Sequence, residues 1–70
     1  MNHELAPLLP HQQRVVTERA ELFDKTTKLL AFIGGAMFDG LDPAEQERLR
    51  RQADLMNRYV AVLDERIAAF

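Results

Sequence analysis

The 70-residue chain has no cysteine, which removes disulfides, thiolate chemistry and Cys-type zinc sites from consideration. It has no serine and no tryptophan, and its side-chain alcohols are Thr17, Thr26, Thr27 and the phenol of Tyr59. A hydrolase-like nucleophile with an acid–base partner in a dry cleft is therefore not expected, nor is an enzyme of any other kind. The glycines are few and fall at 34, 35 and 40, without the lysine, spacing or flanking strand of a phosphate-binding loop. The two histidines, His3 and His11, lack a partner at metal-ligand spacing, so no metal and no cofactor is expected. Long apolar runs are missing too, so no membrane span is expected. Nor is a secretion leader expected from the first residues. With a net charge of -2, the chain is not basic and is not expected to wrap a polymeric nucleic acid by bulk charge. The default expectation is a cytoplasmic protein.

What remains is rich in helix formers and sharply punctuated. Hydrophobic residues make up 47% and charged residues 29%, a balance too apolar for intrinsic disorder. Pro10 suits the first position of a helix and Gly34 the end of one, which predicts helix one over residues 10–33. Asp42 suits an N-cap, Pro43 the first helical position and Glu45 the acidic third position of a capping box. Helix two is therefore expected over residues 43–69, after a glycine-rich turn at 34–42. Residues 2–8 are expected to add a short leading helical turn, kept brief by Pro7. Each long helix would measure roughly 35–40 Å at 1.5 Å per residue. Near-equal lengths with a short link predict an all-α fold, an antiparallel two-helix hairpin in a single unit spanning 1–70.

Both helices carry more apolar surface than one partner covers. In helix two, Leu49, Met56, Leu63 and Phe70 recur every seven residues, with Ala53, Val60 and Ile67 between them, a coiled-coil stripe. Leu55, Tyr59 and Val62 lie on an adjacent flank. In helix one, Val15, Leu22 and Leu29 form one row and Val16, Phe23 and Leu30 the next. One partner helix covers an arc of roughly 100°, and a chain this small buries little by itself. Self-association is the expected remedy, with a four-helix core as its simplest form. Pairs four residues apart (Arg14–Glu18, Glu21–Lys25, Asp24–Lys28, Glu47–Arg51 and Asp54–Arg58) are expected to line the wet faces.

Polar residues interrupt helix one where an unbroken seam would carry leucine. Arg19 and Thr26 fall on the seven-residue row that ends at Ile33. Lys25, Thr26, Thr27 and Lys28 gather two ammonium groups and two hydroxyls, a set suited to phosphate. On the cluster alone the favoured reading is that Lys25 and Lys28 are the basic ends of pairs with Glu21 and Asp24. His11, Gln12, Gln13 and Arg14 open the first turn, where a ring, amides and a helix N-terminus suit a base or an anion, or simply solvation. Arg66 sits near the last C-terminus, where it also complements the helix dipole.

The run LLPHQQRVVTERAELFDKTTKLLAFI, followed by a loop and LMNRYVAVLDERI, resembles the phage hairpin proteins that act as sponges for cyclic-nucleotide immune signals. These are the Acb-type anti-CBASS proteins, whose hairpin is shared with a class of anti-Thoeris sponges. The resemblance extends from about Pro7 to Phe70 and is most specific in PHQQRVV, in ERAEL and in the terminal Y-x-x-V-L-x-x-R-I pattern. It implies homohexamers built from dimers of hairpins, working in the host cytoplasm. Cyclic dinucleotides would be held between protomers and cyclic trinucleotides at separate pockets, neither being cleaved. It further implies that His11 takes the place of a base-stacking aromatic ring. Lys25 would then meet phosphate with Thr27 behind it, Arg66 would supply a second cation, and Gln12 and Arg14 would serve the trinucleotide pocket. The rival expectation is a coiled-coil interaction module or phage structural adaptor that docks a partner helix.

Overall fold

The computed structural model describes residues 7–70. Most of the leading turn expected over 2–8 lies outside the described residues, and Pro7, Leu8 and Leu9 carry no regular structure. Three helices follow: α1 (Pro10–Ile33), α2 (Ala36–Asp39) and α3 (Pro43–Ala68). The fold is all-α, and α1 and α3 pack along each other as an antiparallel hairpin, with extents of 53 × 19 × 16 Å.

Each long helix starts where its capping chemistry allows. Leu9 offers no side-chain acceptor, so Gln12 supplies one: its Oε1 accepts the Leu9 N–H at 2.9 Å. Pro10, next in line, lacks the N–H that a first-turn residue would leave unpaired. At α3, Asp42 Oδ2 accepts the Ala44 N–H at 3.0 Å, the expected cap. The reciprocal half of the expected capping box is not made, because Glu45 turns outward and accepts from Arg48 Nε at 2.8 Å. An adjacent guanidinium outcompetes a backbone amide for that carboxylate.

The hairpin closes on one seam from each helix. On α1 the seam is Gln12, Val15, Arg19, Leu22, Thr26, Leu29 and Ile33, each buried or half-buried. On α3 it is Gln46, Leu49, Ala53, Met56, Val60, Leu63 and Ile67, again without an exposed member. Both runs alternate steps of three and four, the spacing that keeps one helix face on its neighbour. Leu63 is fully enclosed, and burying such a side chain contributes about 1.5–3 kcal/mol.

The two polar interruptions of the α1 seam are satisfied inside the hairpin. Thr26, only 3% exposed, donates its hydroxyl to the Leu22 carbonyl at 2.7 Å. Arg19 reaches across to α3, donating from Nε to Asp64 Oδ1 at 2.7 Å and from a second nitrogen to Oδ2 at 3.3 Å. Its guanidinium also lies over the Phe23 ring, 4.7 Å from the centroid.

The connection is more ordered than the glycine-rich turn expected over 34–42. Within it α2 makes a single helical turn and drives Phe38 into the end of the hairpin, where it is 2% exposed. The Phe32 ring meets it edge-on at 6.3 Å, and Arg50 covers it at 5.0 Å. Gln46 then locks the link from α3: its amide nitrogen donates to the carbonyls of Phe38, Asp39 and Leu41 at 3.0–3.3 Å. No described glycine has a positive φ. Gly34 closes α1 in right-handed geometry, so freedom from the left-handed restriction is not what the turn draws from it.

Candidate functional site

Helix periodicity and two cross-helix bonds sort the outward residues into two flanks. Tyr59 donates its phenol to Glu18 Oε2, placing the Glu18 and Tyr59 rows on one side of the hairpin. Arg19 and Asp64 meet on the other side. Arg14 and Lys25 share the Glu18 side of α1, lying four residues before it and seven after. Arg66 is seven residues after Tyr59 and shares its row on α3. One flank thus carries Arg14, Glu18, Glu21 and Lys25 beside Leu55, Tyr59, Val62 and Arg66. An open depression of about 510 Å³ runs along its α1 side, lined by Pro10, Gln13, Arg14, Thr17, Glu18 and Glu21.

Lys25, Thr26, Thr27 and Lys28 do not form one cluster. Successive helical residues are 100° apart, so a residue and its second neighbour point nearly oppositely. Lys25 is exposed on the Glu18 flank, Thr26 faces α3, and Thr27 is exposed on the far side. Thr26 as a ligand-binding hydroxyl is therefore corrected: it is a seam residue, with its proton committed to Leu22 O. Lys28 is exposed and paired with Asp24 Oδ2 at 3.0 Å. The Asp54–Arg58 pair forms as expected at 3.1 Å. Arg14–Glu18, Glu21–Lys25 and Glu47–Arg51 are not among the ion pairs of the described residues.

In the first turn, Gln12 is half-buried and its acceptor caps α1, which removes that oxygen from the ligand-binding set. His11 is exposed one residue into the helix. Arg14 is exposed and lines the depression. Arg66 is exposed in the last turn of α3. The cross-helix bonds place Arg14 and Arg66 at about the same height along the hairpin. Lys25 lies on the order of 15–20 Å from Arg66 along the axis, at 1.5 Å per residue.

Two contacts escaped sequence reasoning: Tyr59 with Glu18, and Arg19 with Asp64. Both depend on the vertical register of one helix against the other, which a period within one helix does not encode. Arg19 did carry a signal, as a charge on an otherwise apolar row. The hydrogen bond from Arg19 holds the Asp64 carboxyl below its ordinary pKa; desolvation opposes this shift and the Arg19 charge reinforces it. The same bond raises Arg19. Among the described residues no group of three His, Asp or Glu side chains is placed to hold a metal ion, and no helix is long and apolar enough to cross a membrane.

No curated protein and no solved structure matches the chain. The Sequestin family model matches residues 9–69, taking in all three helices. The chain belongs to the Sequestin family, whose name suggests a sequestering role.

Proposed function

We propose that this chain is a stoichiometric sponge. It binds cyclic oligonucleotide second messengers, cyclic dinucleotides first and cyclic trinucleotides at a second site, and releases them unchanged. Holding the signal away from its effector would inhibit CBASS-type antiphage signalling in the host cytoplasm. The Sequestin match over residues 9–69 carries the reading, and the resemblance to anti-CBASS hairpins supplies the ligand class.

Exposed cations on one flank support it: Lys25, Arg14 and Arg66 are all solvent-facing. Cations on rigid helices suit phosphodiesters, because charge-assisted hydrogen bonds are strong and a helix fixes their spacing. Because Lys25 and Arg66 of one hairpin stand apart, the dinucleotide pocket is composed between protomers, Lys25 from one chain and Arg66 from another. His11 supplies a planar ring for a base near the open end, and Lys28 adds charge at the edge. The assembly is a homo-oligomer, a hexamer of paired hairpins. Catalysis has no part in this mechanism.

Calorimetric titration with a panel of cyclic di- and trinucleotides, followed by recovery of the ligand after heating, tests the reading. Saturable binding with intact recovery supports it; no binding, or a hydrolysed product, contradicts it.

A second reading draws on the exposed Leu55, Tyr59 and Val62 beside those cations. On that reading the flank docks a partner helix, and the chain is an interaction module or phage structural adaptor. Size-exclusion chromatography separates the two: a closed oligomer favours the sponge, and a dimer with an adhesive flank favours the adaptor.

A further inference from the structure

The open depression on the Glu18 flank is not built like a phosphate site. Its charged lining sets two carboxylates, Glu18 and Glu21, against the single guanidinium of Arg14. A phosphodiester is repelled by that excess. What a carboxylate can draw from a nucleotide is an N–H donor on a base edge, because an ionised carboxylate only accepts hydrogen bonds.

Glu18 is the better placed of the two carboxylates. It is half-buried, whereas Glu21 is exposed. Its Oε2 takes the Tyr59 phenol from α3, which fixes the side chain across the hairpin. Its Oε1 makes no hydrogen bond or ion pair among the described residues. A carboxylate has about four lone-pair sites, so both oxygens of Glu18 can still accept. Arg14 and Lys25 stand about 6 Å and 10 Å from Glu18 along the helix axis. One nucleotide can therefore rest its phosphate on a cation while its base reaches Glu18.

We infer that Glu18 reads the Watson–Crick edge of guanine, with Tyr59 as its positioning residue. The inference rests on the sponge reading and names the preferred ligand, a cyclic dinucleotide containing guanine. Guanine carries N1–H beside the amino group on C2, two parallel donors that meet the two carboxylate oxygens. Adenine and cytosine set a ring-nitrogen lone pair beside their amino group, and uracil flanks one N–H with two carbonyls. Each of these bases brings an acceptor against the carboxylate. A site committed to hydrogen-bonding one base edge discriminates strongly against edges that leave its polar groups unpaired.

The test is calorimetric titration of the full chain with cyclic di-GMP and cyclic di-AMP. The unsubstituted protein should hold cyclic di-GMP about tenfold or more tighter. Glu18→Gln keeps the side-chain length and the helix propensity and can still accept from Tyr59, but one acceptor becomes an NH2 donor. It should weaken cyclic di-GMP by about tenfold or more and leave cyclic di-AMP unchanged or tighter, because an amide matches adenine's donor and acceptor. Tyr59→Phe removes only the phenol O–H and should narrow the preference about threefold, with the helical circular dichroism signal retained. Equal losses for both nucleotides would make Glu18 a structural support and overturn the inference. Equal wild-type affinities, or a preference for cyclic di-AMP, would also overturn it while the sponge reading stands. Absence of binding to every cyclic nucleotide would contradict the sponge reading and the base assignment together.

Discussion

The two seams of α1 are built on one spacing and meet opposite fates. The inner one carries an arginine and a threonine and is sealed by α3. The outer one, displaced by one residue (Val16, Ala20, Phe23, Thr27 and Leu30), is free of charge and lies open. Apolarity therefore does not decide which face the hairpin closes on. The polar members of the inner face are satisfied, Thr26 on the Leu22 carbonyl of its own helix and Arg19 on Asp64 of α3. On α3, Leu63 and Val60 are buried in the same seam. Buried polar groups are tolerated when their hydrogen bonds are made. The outer face makes no such contacts and stays exposed.

The largest expected effect breaks the inner seam. Leu63→Ala should destabilise the hairpin by about 2–5 kcal/mol, read as a shift in the chemical denaturation midpoint of the helical signal. If the loss were no greater than for a substitution on the exposed flank, the distinction between the seams would fail.

A second change sharpens the contrast from the functional side. Lys25→Ala touches neither seam and should weaken cyclic dinucleotide binding by tenfold or more, about 1.4 kcal/mol, with sedimentation unchanged. Unaltered binding would place the site elsewhere.

Acid probes the polar stitch of the inner seam. Asp64 has a lower pKa folded than unfolded, so its pairing with Arg19 favours the folded state fully above about pH 4, the ordinary carboxylate value. This contribution is lost as pH falls through the folded-state value. Asp64→Asn should flatten that part of the acid limb in thermal melts.

The smallest effect falls in the link. At Gly34 an added Cβ would lie 3.6 Å from the nearest carbonyl oxygen, and the backbone is already right-handed. Gly34→Ala should raise hairpin stability by about 0.4–1 kcal/mol through the unfolded chain, measured with ligand-free protein at a concentration where it is monomeric.

Much of this was legible in the sequence because helices announce themselves by period and punctuation. Pro10 with Gly34, and Asp42 with Pro43, mark the ends, and the seven-residue rows mark the faces. The one-turn helix that seats Phe38 was not legible, since four residues are too few to show a period. Glu45 was assigned to the capping box because sequence spacing gave no weight to Arg48, its neighbour one turn on. The candidate site was read as a four-residue cluster, and the helix scattered it: adjacency along the chain spreads Lys25, Thr26 and Thr27 around the axis. Arg14 and Arg66 lie level only because the hairpin folds back, which depends on the register between helices.

The central claim is that the chain holds a cyclic nucleotide and returns it whole. Calorimetric titration of the assembled protein with cyclic dinucleotides, followed by chromatography of the heat-released ligand, tests it most directly. Saturable binding at a fixed ratio to protomers, with the same nucleotide recovered unaltered, is the predicted result. Absence of heat across the whole panel, or recovery of a linear product, would contradict it.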